Sequence, residues 1–82
     1  MTDFETLRAL ADDGNEKAAD KLADLADDES DLQTLNDLLD EGNDRAGEHL
    51  TRRAAAAKDL RELQRISDAG YYEATEVLNT LL

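Results

Sequence analysis

The chain has 82 residues, enough for one domain in which only about 60 to 65% of the unfolded surface can be buried, so its core is thin. Its 21 acids against 9 bases give a formal charge of −12, which repels polyanions and leaves too few cations for sequence-independent nucleic-acid binding. It has no cysteine for disulfides or thiolate-metal sites and no apolar run long enough for a signal peptide or a membrane span, so a cytoplasmic protein is expected.

In chain order, Thr2 is the expected N-cap of a first helix, with Glu5 three residues on to complete a capping box. Phe4, Leu7, Leu10 and Ala11 follow at spacings that put them on one helical face. Gly14 ends this helix and Asn15 caps the next, which spans about Glu16 to Ala26 and buries Ala18, Ala19, Leu22, Leu25 and Ala26. Asp27, Asp28 and Glu29 are read as leaving the helix for solvent. Ser30 with Gln33 is the expected capping box of a third helix carrying Leu32, Leu35, Leu38 and Leu39. After the Gly42, Asn43 turn a fourth helix turns Ala46, Gly47, Leu50 and Ala54 inward. From Ala54 to Lys58 no glycine or proline interrupts the chain, and a continuous helix there is the alternative to a break. A break is favoured, because Asp59 can cap with Glu62 and because Leu60, Leu63 and Ile66 would drift off the stripe set by Leu50 and Ala54. Gly70 stops the fifth helix, and the sixth carries Ala74, Val77, Leu78, Leu81 and Leu82. So apolar an end helix either tucks against the preceding hairpin or offers an association surface.

These elements repeat with a period of 28 residues: Leu7, Leu35 and Leu63 correspond, as do Asp12, Asp40 and Asp68, over repeats at about 3–30, 31–58 and 59–82. No strand-like alternation appears. The expected fold is therefore all-α, a single repeat domain of three stacked antiparallel hairpins built from six short helices, a small solenoid. Thirteen Asp and eight Glu against three Lys resemble the composition of extreme halophiles, and the strict repeat argues against the alternative of a disordered acidic chain. The acid is uneven, with 14 acids and 3 bases in residues 1–41 but 7 acids and 6 bases in residues 42–82.

The order leucine, leucine, glycine turn, then alanine and leucine reads Gly14, Ala18, Leu22, then Gly42, Ala46, Leu50, then Gly70, Ala74, Leu78. It resembles the tetratricopeptide-like superfamily of helical-hairpin repeats over nearly the whole chain, with a period shorter than the roughly 34 residues of tetratricopeptide repeats. The resemblance implies a scaffold that binds proteins or peptides, usually through the surface lined by the first helix of each hairpin. There the non-core positions are Arg8, Asn36 and Gln64, with Glu5, Gln33 and Arg61 one turn earlier and Arg65 beside them. Such a set can clamp a carboxylate or a peptide backbone, the plain alternative being a solvated face.

Arg45, Arg52, Arg53, Lys58, Arg61 and Arg65 form the basic cluster of the chain, which either docks an acidic partner or pairs with Glu48, Asp59 and Glu62 of its own helices. Tyr71 and Tyr72 open the last helix, to be read as contact residues or as packing over the end of the stack. His49 is expected at the boundary of the fold, with no second histidine to make a metal site. The run Asp27, Asp28, Glu29, Asp31 lacks the spacing of a calcium loop. No nucleophile stands with a base and no glycine loop cradles a phosphate, so no catalytic residue, metal or cofactor is expected. The sequence points to a non-enzymatic protein- or peptide-interaction module, monomeric or weakly dimeric. The alternative is a structural or regulatory appendage that self-associates through the last helix.

Overall fold

The computed structural model describes residues 4–82, in which six helices and no strand occur. They are α1 (Phe4–Asp12), α2 (Glu16–Asp28), α3 (Leu32–Asp40), α4 (Asp44–Ala56), α5 (Leu60–Asp68) and α6 (Glu73–Leu81). The expected cap at Thr2 lies outside the described residues.

Helix starts follow local side-chain chemistry. Asn15 accepts from the Ala18 amide at 3.0 Å, Asn43 from Ala46 at 2.8 Å and Asp59 from Glu62 at 3.1 Å, each meeting one of the orphan N–H groups of a first turn. At α3 the expectation is corrected: Asp31, not Ser30, accepts from the Thr34 amide at 3.2 Å and from its hydroxyl at 2.8 Å. Ser30 is unavailable as a cap because its φ of +56° makes it the closing residue of α2.

All five junctions close alike. Gly14, Ser30, Gly42, Lys58 and Gly70 are left-handed, and each donates its amide to the carbonyl three residues back while the next residue donates to the carbonyl five back. This is the Schellman arrangement, which satisfies the last carbonyls of a helix. The favoured break is therefore present, with left-handed Lys58 (φ +53°) between α4 and α5.

The hairpins stack through their second helices, α2 on α4 and α4 on α6, while α2 also covers α3 and α4 covers α5. The result is an elongated body of 42 × 21 × 16 Å. Small residues line the stacking faces: Ala18, Ala23, Ala26, Ala46, Gly47, Ala54 and Ala74 are all buried and let backbones approach. Leu22, Leu35, Leu38, Leu63 and Ile66 are the largest fully buried side chains between them.

Position within the stack explains the departures from the expected stripes. Leu38 and Ile66 are 1% and 0% exposed, whereas the corresponding Leu10 is 40% exposed because no preceding second helix lies over it. Leu32 and Leu60, in the first turns of α3 and α5, are exposed and not in the core. Ala23, outside the expected stripe, is buried because α2 meets α1, α3 and α4 and so buries a wider arc, while Leu25 and Ala19 are only half-buried. Asp27 does not leave for solvent. It lies in α2, which runs on to Asp28, with its carboxylate turned toward α4. In α6, Ala74 is buried and Val77 and Leu78 pack against the core, while Leu81 and Leu82 stay exposed, so the helix tucks at its start and is bare at its end.

Candidate functional site

The first helices carry the expected clamp residues, most of them already engaged with other side chains of the fold. Arg8 bonds Glu41 at 2.6 Å and Asp12 at 3.1 Å, spanning from α1 to the end of α3. The hydrogen bond to Glu41 holds its guanidinium above the ordinary arginine value, against a partial loss of solvation. Arg65 bonds Glu62 at 2.6 Å on its own helix and donates to the Asn36 side chain across the α3/α5 boundary. Asn36 in turn donates to the Leu32 carbonyl, and Gln64 to Asp68. Of the expected set, Arg61 alone carries an exposed cation without a hydrogen bond or ion pair among the described residues. Arg8, Asn36 and Arg65 therefore brace neighbouring hairpins as they stand, while Gln64 bonds only within α5.

The basic cluster divides. Arg45, Arg52 and Arg53 reach back to α2 and leave the acids of their own helix unpaired. Arg45 grips Asp24 through two bonds of 2.9 Å, Arg53 meets Asp27 at 2.7 Å and also the Asp27 carbonyl, and Arg52 meets Asp27 at 2.9 Å. His49 sits among them, with Nε2 2.7 Å from Asp24 Oδ1 and Nδ1 2.9 Å from Arg52. An arginine only donates, so Nδ1 accepts and Nε2–H donates to Asp24. The Asp24 carboxyl is held below the ordinary aspartate range by the hydrogen bond from Arg45, against burial, with His49 adding to the effect. For Asp27 burial pushes upward, but Arg53, His49 and Arg52 together outweigh it, and the carboxyl is lowered. Arg53, which stands where the other two copies carry Leu25 and Leu81, is thus the α2-facing anchor of the second hairpin. Sequence reasoning missed Asp24 and Asp27 as the partners of Arg45, Arg52 and Arg53, although acids on one second helix and bases on the next are visible 21 to 26 residues apart.

At the far end of the stack the character changes. Tyr71 is half-buried against Gly47, whereas Tyr72 is 74% exposed, and α6 starts at Tyr72 without a side-chain cap because Tyr71 stands where Asn15 and Asn43 stand earlier. Burial raises the Tyr71 phenol above its usual value, and the charges of Glu73, Glu48 and Asp44 push the same way. Beside it, between α4 and α6, lies a cavity of about 260 Å³ lined by Glu48, Thr51, Arg52, Ala55, Tyr71, Glu73 and Val77. Thr51 is buried and its hydroxyl has no hydrogen-bond partner, a condition that costs roughly 1 to 3 kcal/mol. A larger cleft of about 410 Å³ lies between the two preceding glycine turns, walled by Glu16, Asp20, Glu41 and Asp44, and there Asn43 donates to Asp20 at 3.0 Å.

Among the described residues no group of three or more His, Asp or Glu side chains is placed to hold a metal ion, and no helix is long and apolar enough to cross a membrane. No family model matches the chain, and neither a curated protein nor a solved structure matches it.

Proposed function

We propose that the chain is a non-enzymatic protein- or peptide-interaction module of tetratricopeptide-like helical repeats, with an acidic, salt-adapted surface and a cytoplasmic setting. One observation carries this reading. The last hairpin leaves large contact residues in water at both ends of α6, Tyr72 at 74% exposure beside the half-buried Tyr71 at its start and Leu81 at 37% and Leu82 at 81% at its end. Tyrosines and leucines gathered at one end of a rigid stack bring contact area at small entropic cost. The first-helix face contributes Arg61 and Gln64, while Arg8, Asn36 and Arg65 keep the hairpins in register beneath any bound peptide. The excess of acid selects basic partners over polyanions.

The same exposed Leu81 and Leu82 favour the second reading, self-association through α6 with no separate ligand. Light scattering over a range of protein and salt concentrations separates the two. A monomer that captures a partner from native lysate in its own salt, and loses it on Tyr72→Ser with Leu82→Ser, supports the module. A concentration-dependent dimer abolished by Leu81→Glu supports self-association and overturns the module.

A further inference from the structure

His49 and Arg52 share one carboxylate oxygen of Asp27, and the way they share it depends on a proton. The imidazole is largely enclosed between α2 and α4, with Asp24 and Asp27 on the α2 side and Arg45, Arg52 and Arg53 on its own helix. Its Nδ1 lies 3.4 Å from Asp27 Oδ2. In the neutral tautomer, with the proton on Nε2, both of these atoms are acceptors and have no attraction for each other. Arg52 joins them. Its Nη2 stands 2.9 Å from Asp27 Oδ2 and 2.9 Å from His49 Nδ1, and donates one N–H to each.

A proton on Nδ1 undoes that arrangement. The imidazolium donates from both nitrogens, so Nδ1 no longer accepts from Arg52 and a second cation faces the guanidinium. The Nε2–H bond to Asp24 is the same in both states. The new proton faces Asp27 Oδ2 just beyond hydrogen-bonding range, and a small turn of the ring lets Nδ1–H donate to it directly. Asp27 keeps Arg53 on its other oxygen at 2.7 Å. Arg52 is then surplus at this boundary, and its 58% exposed side chain is free to turn away. It has acids to turn to. The same side chain borders the gap between α4 and α6 together with Glu48 and Glu73, neither of which makes a hydrogen bond or ion pair among the described residues. Glu48 precedes Arg52 by one helical turn, the order and spacing that favour an acid and base pair. Among the described residues no hydrogen bond or ion pair reaches His49 from α3, α5 or α6, and the remaining charges near the cluster are Asp20 and Glu48, which act on Arg45.

We propose that His49 is a proton-operated latch that moves Arg52 from the α2 boundary to the α6 boundary. With His49 neutral, Arg52 ties the imidazole to Asp27 and α4 to α2. With His49 charged, the imidazolium holds Asp27 itself and Arg52 pairs with Glu48 and Glu73 beside Tyr71. Histidine is the side chain that ordinarily changes charge between about pH 5 and 8, so the exchange belongs to that window. The latch goes beyond the interaction module and holds whatever the chain binds.

The test is NMR of the isotope-labelled full chain between about pH 5 and 8.5, read at the imidazole nitrogens, the arginine Nε–H groups and the backbone amides. At the alkaline end His49 should carry its proton on Nε2 alone. On acidification the Arg52 Nε–H and the amides from Tyr72 to Val77 should shift with the midpoint of His49, although no bond joins His49 to α6. Arg52→Met should raise the proton affinity of His49 about tenfold and abolish the response of α6. The double variant Glu48→Gln with Glu73→Gln, both exposed positions, should leave His49 titrating and also abolish that response. An Nδ1–H tautomer at the alkaline end would overturn the latch. So would amides of α6 indifferent to the titration of His49, or a response of α6 that survives in Arg52→Met.

Discussion

Residues at the turns and on the α2/α4 boundary are where sequence and structure diverge most instructively. A glycine at Gly14, Gly42 and Gly70 announces a left-handed stop, but Ser30 and Lys58 occupy the same conformation with no such signal. A side chain there costs on the order of 1 kcal/mol. Lys58→Gly is therefore expected to stabilise the fold by roughly 0.5 to 1 kcal/mol, a few degrees in thermal midpoint, partly offset by the greater freedom of the unfolded chain. A lowered midpoint would show that Lys58 contributes something beyond its backbone. Asp27 is the other decisive residue, since Arg52 and Arg53 both converge on it. Asp27→Asn is expected to cost roughly 1 to 3 kcal/mol, and a double-mutant cycle with Arg53→Gln should recover a coupling of comparable size. Because the Asp24 and Asp27 carboxyls are both lowered in the folded chain, their contribution is complete above about pH 5. It is lost as the pH falls through the ordinary aspartate value of about 4 toward the lowered folded values. Urea midpoints measured between pH 3 and 7 should show this fall in the wild type and a shallower one in Asp27→Asn.

Helices were legible almost entirely from periodicity and punctuation, because each start and stop is decided within four residues of chain. Asn15 and Asp59 act as caps through their own side chains, and the inward set Ala46, Gly47, Leu50 and Ala54 follows from helical spacing alone. What one helix cannot reveal is which of its flanks meets another. Ala23 is buried and Leu10 exposed for reasons that lie in the neighbouring copy, and Asp27 looked like a solvated end only because its partners are 25 and 26 residues away. The clamp residues illustrate the same limit: Arg8, Asn36 and Arg65 share a face by their spacing, but that face is where hairpins bond to each other. Gly47 shows how closely the start of the last hairpin's second helix approaches α4. A Cβ there would lie 2.5 Å from Tyr71 Cγ and 2.9 Å from Tyr71 Cβ, close to the backbone of that residue, where little can give way. Gly47→Ala should destabilise by roughly 1 to 3 kcal/mol despite its better helix propensity, and should shift the Tyr71 ring resonances. A more stable variant with unmoved resonances would mean that α4 and α6 are farther apart than described.

On the scale of the whole chain, the stack is a thin rod whose cohesion lies between helices. Each helix has 9 or 13 residues, at or below the length that holds together alone in water, so a hairpin depends on its neighbours. A net charge of −12 on such a body is self-repulsive, and sodium chloride between 0.05 and 1 M should raise the thermal midpoint by screening it. A midpoint that falls with salt would mean that the pairs between α2 and α4 outweigh the excess of acid. Leu50 belongs to the middle hairpin, 3% exposed on α4, the helix that meets α2, α3, α5 and α6. Leu50→Ala removes roughly 2 to 5 kcal/mol, comparable with the stability of a domain of this size. Denaturant unfolding of this one variant, followed by circular dichroism and amide exchange, should lose its single cooperative transition, with all six helices exchanging together. A sharp transition near the wild-type midpoint, or protection kept in the outer hairpins, would contradict a fold held together at its seams.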